Sequence, residues 1–231
     1  MQTCSRSEFE QLVENAAVLE GGLEGPRVYK LPGQKIVKVF RSKRLLSSNR
    51  LVPYALRFKR CAQRLIELGF NSVRVEKMAH CRELDMHFVV YPMLPGLSIR
   101  ELDERALLQP GVAAQVAAYV ASLHRNGVYY KAFHLGNIIV QEDGSFALID
   151  IHSTRFYKSP VSIDRRARNL LNMFRYQQDR NIIDNDGVSH YFGEYLQASG
   201  LNAEHQAALI GKLKTSRAFP ELKVALDNLN P

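Results

Sequence analysis

The stretch from Val128 to Ile151, VYYKAFHLGNIIVQEDGSFALIDI, decides how the rest of the chain is read. Its pattern predicts a loop, a strand, a tight turn and a second strand. Ile138, Ile139 and Val140 form one apolar run and Phe146 to Ile149 form another, with Glu142-Asp143-Gly144-Ser145 between them as a hairpin turn. Asn137 then starts one strand and Asp150 ends its antiparallel partner, so the hairpin is expected to bring them together. An amide oxygen beside a carboxylate is a pair of hard oxygen ligands, suited to Mg²⁺ and to the phosphates it carries. Both residue types also suit plainer duties, an Asn capping a turn and an Asp ending a strand.

Neighbouring residues add a family resemblance. The stretch resembles the catalytic segment of protein-kinase-like phosphotransferases, in which H-x-D-x-x-x-x-N is followed by two strands and a metal-binding Asp. Leu123-His124-Arg125-Asn126-Gly127-Val128 is similar to the L-H-x-x-G-I that ends the preceding helix in these proteins. Leu148-Ile149-Asp150-Ile151-His152 is similar to the L-I-D-L-H of heptose kinases, and Arg168-Asn169-Leu170-Leu171-Asn172-Met173-Phe174-Arg175 resembles their R-N-L-x-R-L-x-R-S segment. The group resembled is the bacterial lipopolysaccharide core kinases, which phosphorylate Kdo or heptose, together with the toluene-tolerance-type proteins. The likeness covers roughly Val18 to Arg180.

This resemblance implies an α+β, two-lobed protein-kinase-like fold. Residues 1–231 would form a single domain, with a small β-rich N-lobe to about residue 93 and a helical C-lobe from about residue 97. It implies ATP and Mg²⁺ as cofactors, with Lys38 on the α/β-phosphates, Asn137 and Asp150 on the metal, and His134 beside the attacking hydroxyl. The acceptor would be a sugar of a lipid-linked core oligosaccharide.

The catalytic loop and one helix depart from the family pattern. Ala132 stands five residues before Asn137, where an active kinase carries its catalytic Asp, and Tyr130 stands where it carries His. The methyl group of Ala132 cannot accept or orient a hydroxyl proton. His134 occupies the second His of the H-x-D-x-H-x-x-N pattern of small-molecule kinases. A histidine there suits a substitute base, and it equally suits a structural partner of backbone carbonyls. The second departure lies in the helix after Pro53, which in active protein kinases supplies a Glu to pair with the strand Lys. Here Glu67 is the helix's only acid, one turn from its end and poorly placed for that duty.

Composition is ordinary for a globular chain, with 46% apolar and 23% charged residues and a net charge of +8. That charge favours an anionic partner, whether nucleotide, phosphorylated sugar, anionic lipid or nucleic acid. No nucleic-acid motif is present, and the aromatics are not interleaved with basic residues as a stacking platform needs. Cys4, Cys61 and Cys81 are odd in number, widely spaced and outside any C-x-x-C pair, so they read as free thiols in a reducing cytosol. The N-terminus lacks an apolar signal core. The uncharged run Ala106 to Leu123 is interrupted by Gln109, Pro110, Gly111 and Gln115 and reads as a buried helix, not a membrane span. The expectation is a cytoplasmic protein whose basic surface offers peripheral contact with the inner membrane.

Taken in order, Ser5 to Glu20 reads as a helix opened by a Ser5/Glu8 capping box. Gly21-Gly22-Leu23-Glu24-Gly25-Pro26 breaks it, as a connecting turn or as a glycine-rich turn over phosphates. Arg27–Leu31 and Lys35–Phe40 read as strands, with Lys38 on the apolar face of Ile36 and Phe40, where burial without an anion is costly. Arg41 to Arg50 is a basic, Ser-rich connector. Pro53 opens a helix with Phe58, Cys61, Leu65 and Leu68 in a stripe, and its many Lys and Arg read as a solvated face. Ser72–Met78 and His87–Tyr91 read as strands, and Tyr91 to Gly96 resembles the hinge between kinase lobes. Helices follow at about Gly111–Asn126, Asp164–Asp179, Val188–Ala198 and Ala203–Ser216, with a polar loop at Asn181–Gly187. His152 and Arg155 read either as contacts to a substrate phosphate or as contacts within the fold.

Two function classes remain. One is an ATP-dependent phosphotransferase of the lipopolysaccharide core kinase type with a degenerate catalytic loop. The other is a pseudokinase that serves as a binding partner in envelope or lipopolysaccharide assembly.

Overall fold

The computed structural model describes residues 2–41, 53–216, 219, 222–227 and 229. The basic connector read at Arg41 to Arg50 lies, beyond Arg41, outside the described residues. In chain order the elements are β1 (Gln2–Cys4), α1 (Arg6–Val13), β2 (Ala17–Glu20), β3 (Val28–Leu31), β4 (Lys35–Arg41), α2 (Tyr54–Glu67), β5 (Asn71–Ser72), β6 (Lys77–Cys81), β7 (Met86–Pro92), β8 (Leu97–Ser98), α3 (Ile99–Glu104) and α4 (Val112–Arg125). They continue with β9 (Val128–Tyr129), β10 (Ile138–Val140), β11 (Phe146–Leu148), β12 (Arg155–Phe156), α5 (Ile163–Met173), α6 (Gln177–Asp186), α7 (Val188–Ala198), α8 (Ala203–Lys214) and α9 (Leu222–Asp227). The chain divides into two compact units, Met1–Pro95 with Gln141–Ser153, and Gly96–Val140 with Thr154–Pro231.

The first unit is built on a six-stranded sheet in the order β1-β6-β7-β4-β3-β2. β1 runs parallel to β6, and the remaining neighbours are antiparallel. β4 and β7 pair along their whole length, from Lys35 with Pro92 to Arg41 with Met86. Alternation then assigns the faces. Val37 and Val39 join Phe9, Tyr29, Met86, Phe88 and Val90 in one buried cluster, which α1 closes through Phe9. Ile36, Lys38 and Phe40 point the other way, where Phe58 of α2 meets Phe40 and Tyr91 at ring separations of 5.7 and 5.6 Å. The turn between the two apolar runs of the motif closes on itself, with the Gln141 N–H donating to Ser145 O and the Gly144 N–H to Gln141 O, both at 2.9 Å.

The expected helix over Ser5–Glu20 is corrected to its first half. The Ser5/Glu8 capping box forms as read. Ala17 to Glu20, however, pair with β3 as an edge strand, because a sheet ladder outweighs the weak helix propensity of four exposed residues. The strand read at Ser72–Met78 is corrected to two short strands with different partners. Asn71 and Ser72 pair with β11, while Lys77 to Cys81 pair with β7, so the residues between must change neighbours.

The second unit is mainly helical. Of the apolar face expected on α4, Val112, Val116, Tyr119 and Leu123, three residues are buried and Tyr119 is corrected to half-buried, with Val120 buried beside it. Its N-cap is Gly111, which has no side chain to offer, and the carboxylate of Asp186 accepts from the N–H groups of Gly111 and Ala113 instead. β8 pairs with β10, and β9 with β12. The helix read over Asp164–Asp179 is corrected to α5, a break, and α6. At the break Phe174 turns inward to stack on Phe192 at 5.7 Å, and extended Tyr176 caps α6. The loop read at Asn181–Gly187 is corrected too, since α6 runs on to Asp186 and ends at Gly187, whose φ of 88° suits glycine. The inward stripe of α6 is Asp179, Ile182, Ile183 and Asp186, and its two carboxylates hid the helical period from an apolar count. Among the described residues no helix is long and apolar enough to cross a membrane.

Candidate functional site

Within the first unit, Lys38 and Asp150 meet. Lys38 sits in the middle of β4, opposite Val28 and Val89, and its Nζ lies 2.9 Å from Asp150 Oδ1. His152 Nδ1 reaches the same Oδ1 at 3.2 Å. Both contacts fall on one carboxylate oxygen, and among the described residues none is recorded on Oδ2. Burial works against the charge of Asp150. The hydrogen bond from His152 and the charge of Lys38 overcome it and hold the carboxyl well below the usual carboxylate range. Asp150 also has a φ of 51°, a left-handed backbone costly for a residue other than glycine and often found at functional sites. The His152 ring is wedged between Phe40 and Tyr54, at 6.0 and 5.5 Å.

Glu67 is turned to its own helix, 3.0 Å from Arg64 and within reach of Gln63. The carboxylate that pairs with Lys38 is therefore Asp150, not an acid of α2. Arg155, read as a possible phosphate contact, is exposed on β12.

A cleft of about 300 Å³ opens beside this pair, lined in part by Glu20, Arg27, Lys38, Arg41, Asp150 and His152. The glycine-rich turn borders it and has a specific use for its glycines. A Cβ on Gly22 would stand 2.5 Å from Arg27 Nε, and one on Gly25 would touch Arg41 Nη2 at 3.5 Å. Gly22 thus lets the Arg27 guanidinium lie against the turn, whereas the contact at Gly25 is an ordinary one and its glycine suits a φ of 98°. The Gly25 N–H is spent on Gly22 O at 3.0 Å, and Arg41 Nη1 donates to Pro26 O at 2.8 Å.

In the second unit, His134 and Asn137 are brought together with Ala132. The Asn137 amide nitrogen lies 2.9 Å from Ala132 O and 2.8 Å from His134 Nε2. A carbonyl oxygen only accepts, so the amide atom facing it must be the NH₂ group, and His134 Nε2 must accept the other proton. Among the described residues this arrangement leaves Asn137 Oδ1 without a recorded hydrogen bond. It also makes His134 a neutral imidazole whose Nε2 lone pair is engaged.

A buried chain of hydrogen bonds supports this loop. Asn169 Nδ2 donates to Tyr130 O at 2.8 Å, so its Oδ1 accepts from His124 Nε2 at 3.0 Å. His124 Nδ1 then accepts from the Tyr195 hydroxyl at 2.8 Å, and that hydroxyl accepts from Arg166 Nη1 at 3.4 Å. Burial lowers the His124 pKa to about 3, which fits a ring that stays neutral to serve as donor and acceptor at once. A second support comes from Asp179, fully buried, which accepts from the Leu135 N–H at 3.1 Å and pairs with Arg100 at 2.6 Å. Sequence reasoning missed Asn169 and Asp179 as supports. The readable signal for Asp179 was an acid three and four residues before Ile182-Ile183, a spacing that turns it inward.

Each unit offers a donor of the kind Mg²⁺ takes, the ionised carboxylate of Asp150 in the first and the amide oxygen of Asn137 in the second. Among the described residues no three His, Cys, Asp or Glu side chains gather as a metal cage.

A strand-built unit carrying a lysine paired with a carboxylate, and a helical unit carrying a looped Asn, define a protein of the α+β, protein-kinase-like fold class. Comparison with solved structures gives the same class. The co-crystal structure of WbdD with a kinase inhibitor matches with a TM-score of 0.50 at 13% identity, covering 87% of this chain and 48% of that one. The structure of monomeric WbdD matches with a TM-score of 0.50 at 13% identity, covering 82% and 44%. At that identity the likeness concerns the fold alone, and this chain spans about half the length of the structures it matches. No protein-family model and no curated protein sequence matches the chain.

Proposed function

We propose that the chain is a nucleotide-binding, kinase-like protein and, in its active form, an ATP-dependent phosphotransferase resembling the lipopolysaccharide core sugar kinases. The observation that carries this reading is the 2.9 Å contact between Lys38 Nζ and Asp150 Oδ1, which joins a largely buried strand cation to a carboxylate. WbdD, a bifunctional kinase-methyltransferase that accepts a kinase inhibitor, lends the fold a precedent for nucleotide chemistry. The reading treats residues 1–231 as one kinase-like domain.

In the proposed assignment Lys38 neutralises the α/β-phosphates. Asp150 Oδ2 and Asn137 Oδ1 would hold Mg²⁺, which supplies further neutralisation of phosphate charge. Transfer through a loose transition state depends chiefly on positioning and charge, so a missing base slows the reaction without abolishing it. His134 keeps Asn137 oriented, and its engaged Nε2 makes it a positioning residue in this scheme. The acceptor is a sugar hydroxyl of a lipid-linked core oligosaccharide, reached at the cytoplasmic face of the inner membrane.

A specific observation also favours a pseudokinase. Ala132 presents a methyl group in the catalytic loop, and the nearby buried carboxylate, Asp179, is committed to Arg100 and to the Leu135 N–H. Calorimetry with Mg-ATP tests the common root of both readings. Wild type should bind in a Mg-dependent way, with binding lost in Lys38→Ala and Asp150→Ala. No binding at millimolar nucleotide would remove the ATP-dependent reading and leave a kinase-shaped binding module.

A further inference from the structure

We propose that the cleft beside Lys38 is a polyphosphate site in which Arg27 and Arg41 are direct ligands. The proposal deepens the nucleotide reading, and rests on it for the adenosine half alone.

The charges around the cleft do not balance. Lys38, Arg27 and Arg41 line it as cations, against the carboxylates of Glu20 and Asp150. Asp150 is already shared by Lys38 and His152. Glu20 stands 3.9 Å from Arg27 Nη1, too far for a hydrogen bond. Arg41 is half-buried and gives one donor to Pro26 O, with no carboxylate partner among the described residues. Two guanidinium forks therefore keep most of their donors in a recess that Lys38 also enters. Arg41 is thus a partly buried cation without a counter-ion among the described residues, which is costly. Arg27 has only a long ion pair with Glu20, and Lys38 a shared carboxylate. A chain of phosphates engages all three groups at once. Arg recognises phosphate oxygens through paired N–H donors, which adds geometry to charge.

The glycine turn agrees with this division of labour. A phosphate-cradling loop offers free backbone N–H groups, but here the Gly25 N–H closes the turn on Gly22 and the Arg27 N–H goes to Glu20 O at 2.8 Å. Gly22 makes room for Arg27 instead. Because the cations are the protein's own, phosphate engagement does not require a divalent metal.

The test titrates the full chain with sodium tripolyphosphate in the presence of EDTA, then with ATP and Mg-ATP. Variants are Arg27→Gln, Arg41→Gln and the double substitution. Glutamine at 41 retains a donor for Pro26 O, and circular dichroism checks that each variant is folded. Lys35→Gln removes an exposed cation paired with Glu76 and reports any general charge effect. Wild type should bind tripolyphosphate without metal. Each arginine variant should bind roughly tenfold more weakly, as expected for losing a hydrogen bond to a charged group. Lys35→Gln should stay within about twofold, as for an exposed ion pair. The proposal is overturned if wild type does not bind tripolyphosphate, if both arginine variants bind like wild type, or if Lys35→Gln loses as much as they do. ATP bound normally by the arginine variants sinks the proposal and spares the nucleotide reading. Tripolyphosphate bound through the arginines, with ATP bound no better, supports the proposal with an inorganic chain as ligand and removes the nucleotide reading.

Discussion

His134 Nε2 accepts a proton from the Asn137 amide at 2.8 Å, and the same amide donates to Ala132 O at 2.9 Å. A lone pair spent on an amide proton is not available to a substrate hydroxyl. His134→Gln can still accept from Asn137, whereas His134→Ala cannot. Mg-dependent nucleotide binding should therefore fall roughly tenfold in His134→Ala and stay close to wild type in His134→Gln, about one hydrogen bond's worth. Calorimetry of both variants checks this. Equal loss in the two, with a histidine-like limb in the pH profile of turnover, would restore the general-base role.

The Lys38–Asp150 pair makes a prediction about acid stability. The folded-state pKa of Asp150 is lowered, so the carboxylate stabilises the fold above the ordinary Asp value of 3.8, and that contribution drains away as pH falls towards the folded value. Asp150→Asn should cost about 1–2 kcal/mol near neutral pH, since it leaves a half-buried lysine without its counter-charge. The difference from wild type should shrink below about pH 4. Urea unfolding at several pH values measures both.

His124 works at a higher pH. Its pKa falls from 6.5 to about 3 on folding, so below 6.5 the unfolded chain takes up a proton that the folded chain refuses. Stability is then full above 6.5 and declines by about 1.4 kcal/mol per pH unit as pH drops towards the folded value. His124→Gln should remove this slope while lowering stability at neutral pH, because the bonds to Tyr195 and Asn169 are disturbed. Comparing unfolding free energies at about pH 7.5 and about pH 5.5 isolates the effect.

Ala132 is the position where chemistry can be restored. Its carbonyl bond to Asn137 is a backbone contact, so Ala132→Asp leaves it in place and adds a carboxylate on the loop. Phosphate transfer should rise by about 10²–10⁴-fold, the usual worth of a positioned base. Unchanged turnover with Mg-ATP still bound would favour the pseudokinase. Single-turnover assays with labelled ATP give the answer directly.

Much of this was legible in sequence because it rests on local rules. The alternation in Lys35 to Phe40 gave β4 and the face of Lys38, and the uninterrupted apolar spacing gave α4. Capping at Ser5 was readable, but the length of α1 was not, because Ala17 to Glu20 are claimed by a ladder to β3 that lies outside any local window. α6 was lost for a related reason. Its inward face carries Asp179 and Asp186, whose partners are the Leu135 N–H, Arg100 and the start of α4. A buried acid reads as a solvated one until its partners are known. The candidate site divides the same way. Lys38, Asn137 and Asp150 stand at motif positions, whereas Arg27 and Arg41 lie in no motif and come forward only through the cleft they line and the packing of Gly22.

That packing gives a prediction with its control three atoms of backbone away. A Cβ on Gly21 would meet nothing within 4 Å, while one on Gly22 would stand 2.5 Å from Arg27 Nε. Neither glycine has a positive φ, so alanine suits both backbones. The Arg27 side chain is long and part-exposed, so it can swing aside with little harm to the fold. Gly21→Ala and Gly22→Ala should therefore unfold within about 1 kcal/mol of wild type, and any gain in stability would come from a less flexible unfolded chain. They should differ in binding. Gly21→Ala should hold tripolyphosphate like wild type, whereas Gly22→Ala should weaken it to the level of Arg27→Gln, because the guanidinium has been pushed off its seat. Equal binding by the two alanine variants would mean that Arg27 does not act from the position it holds against the turn.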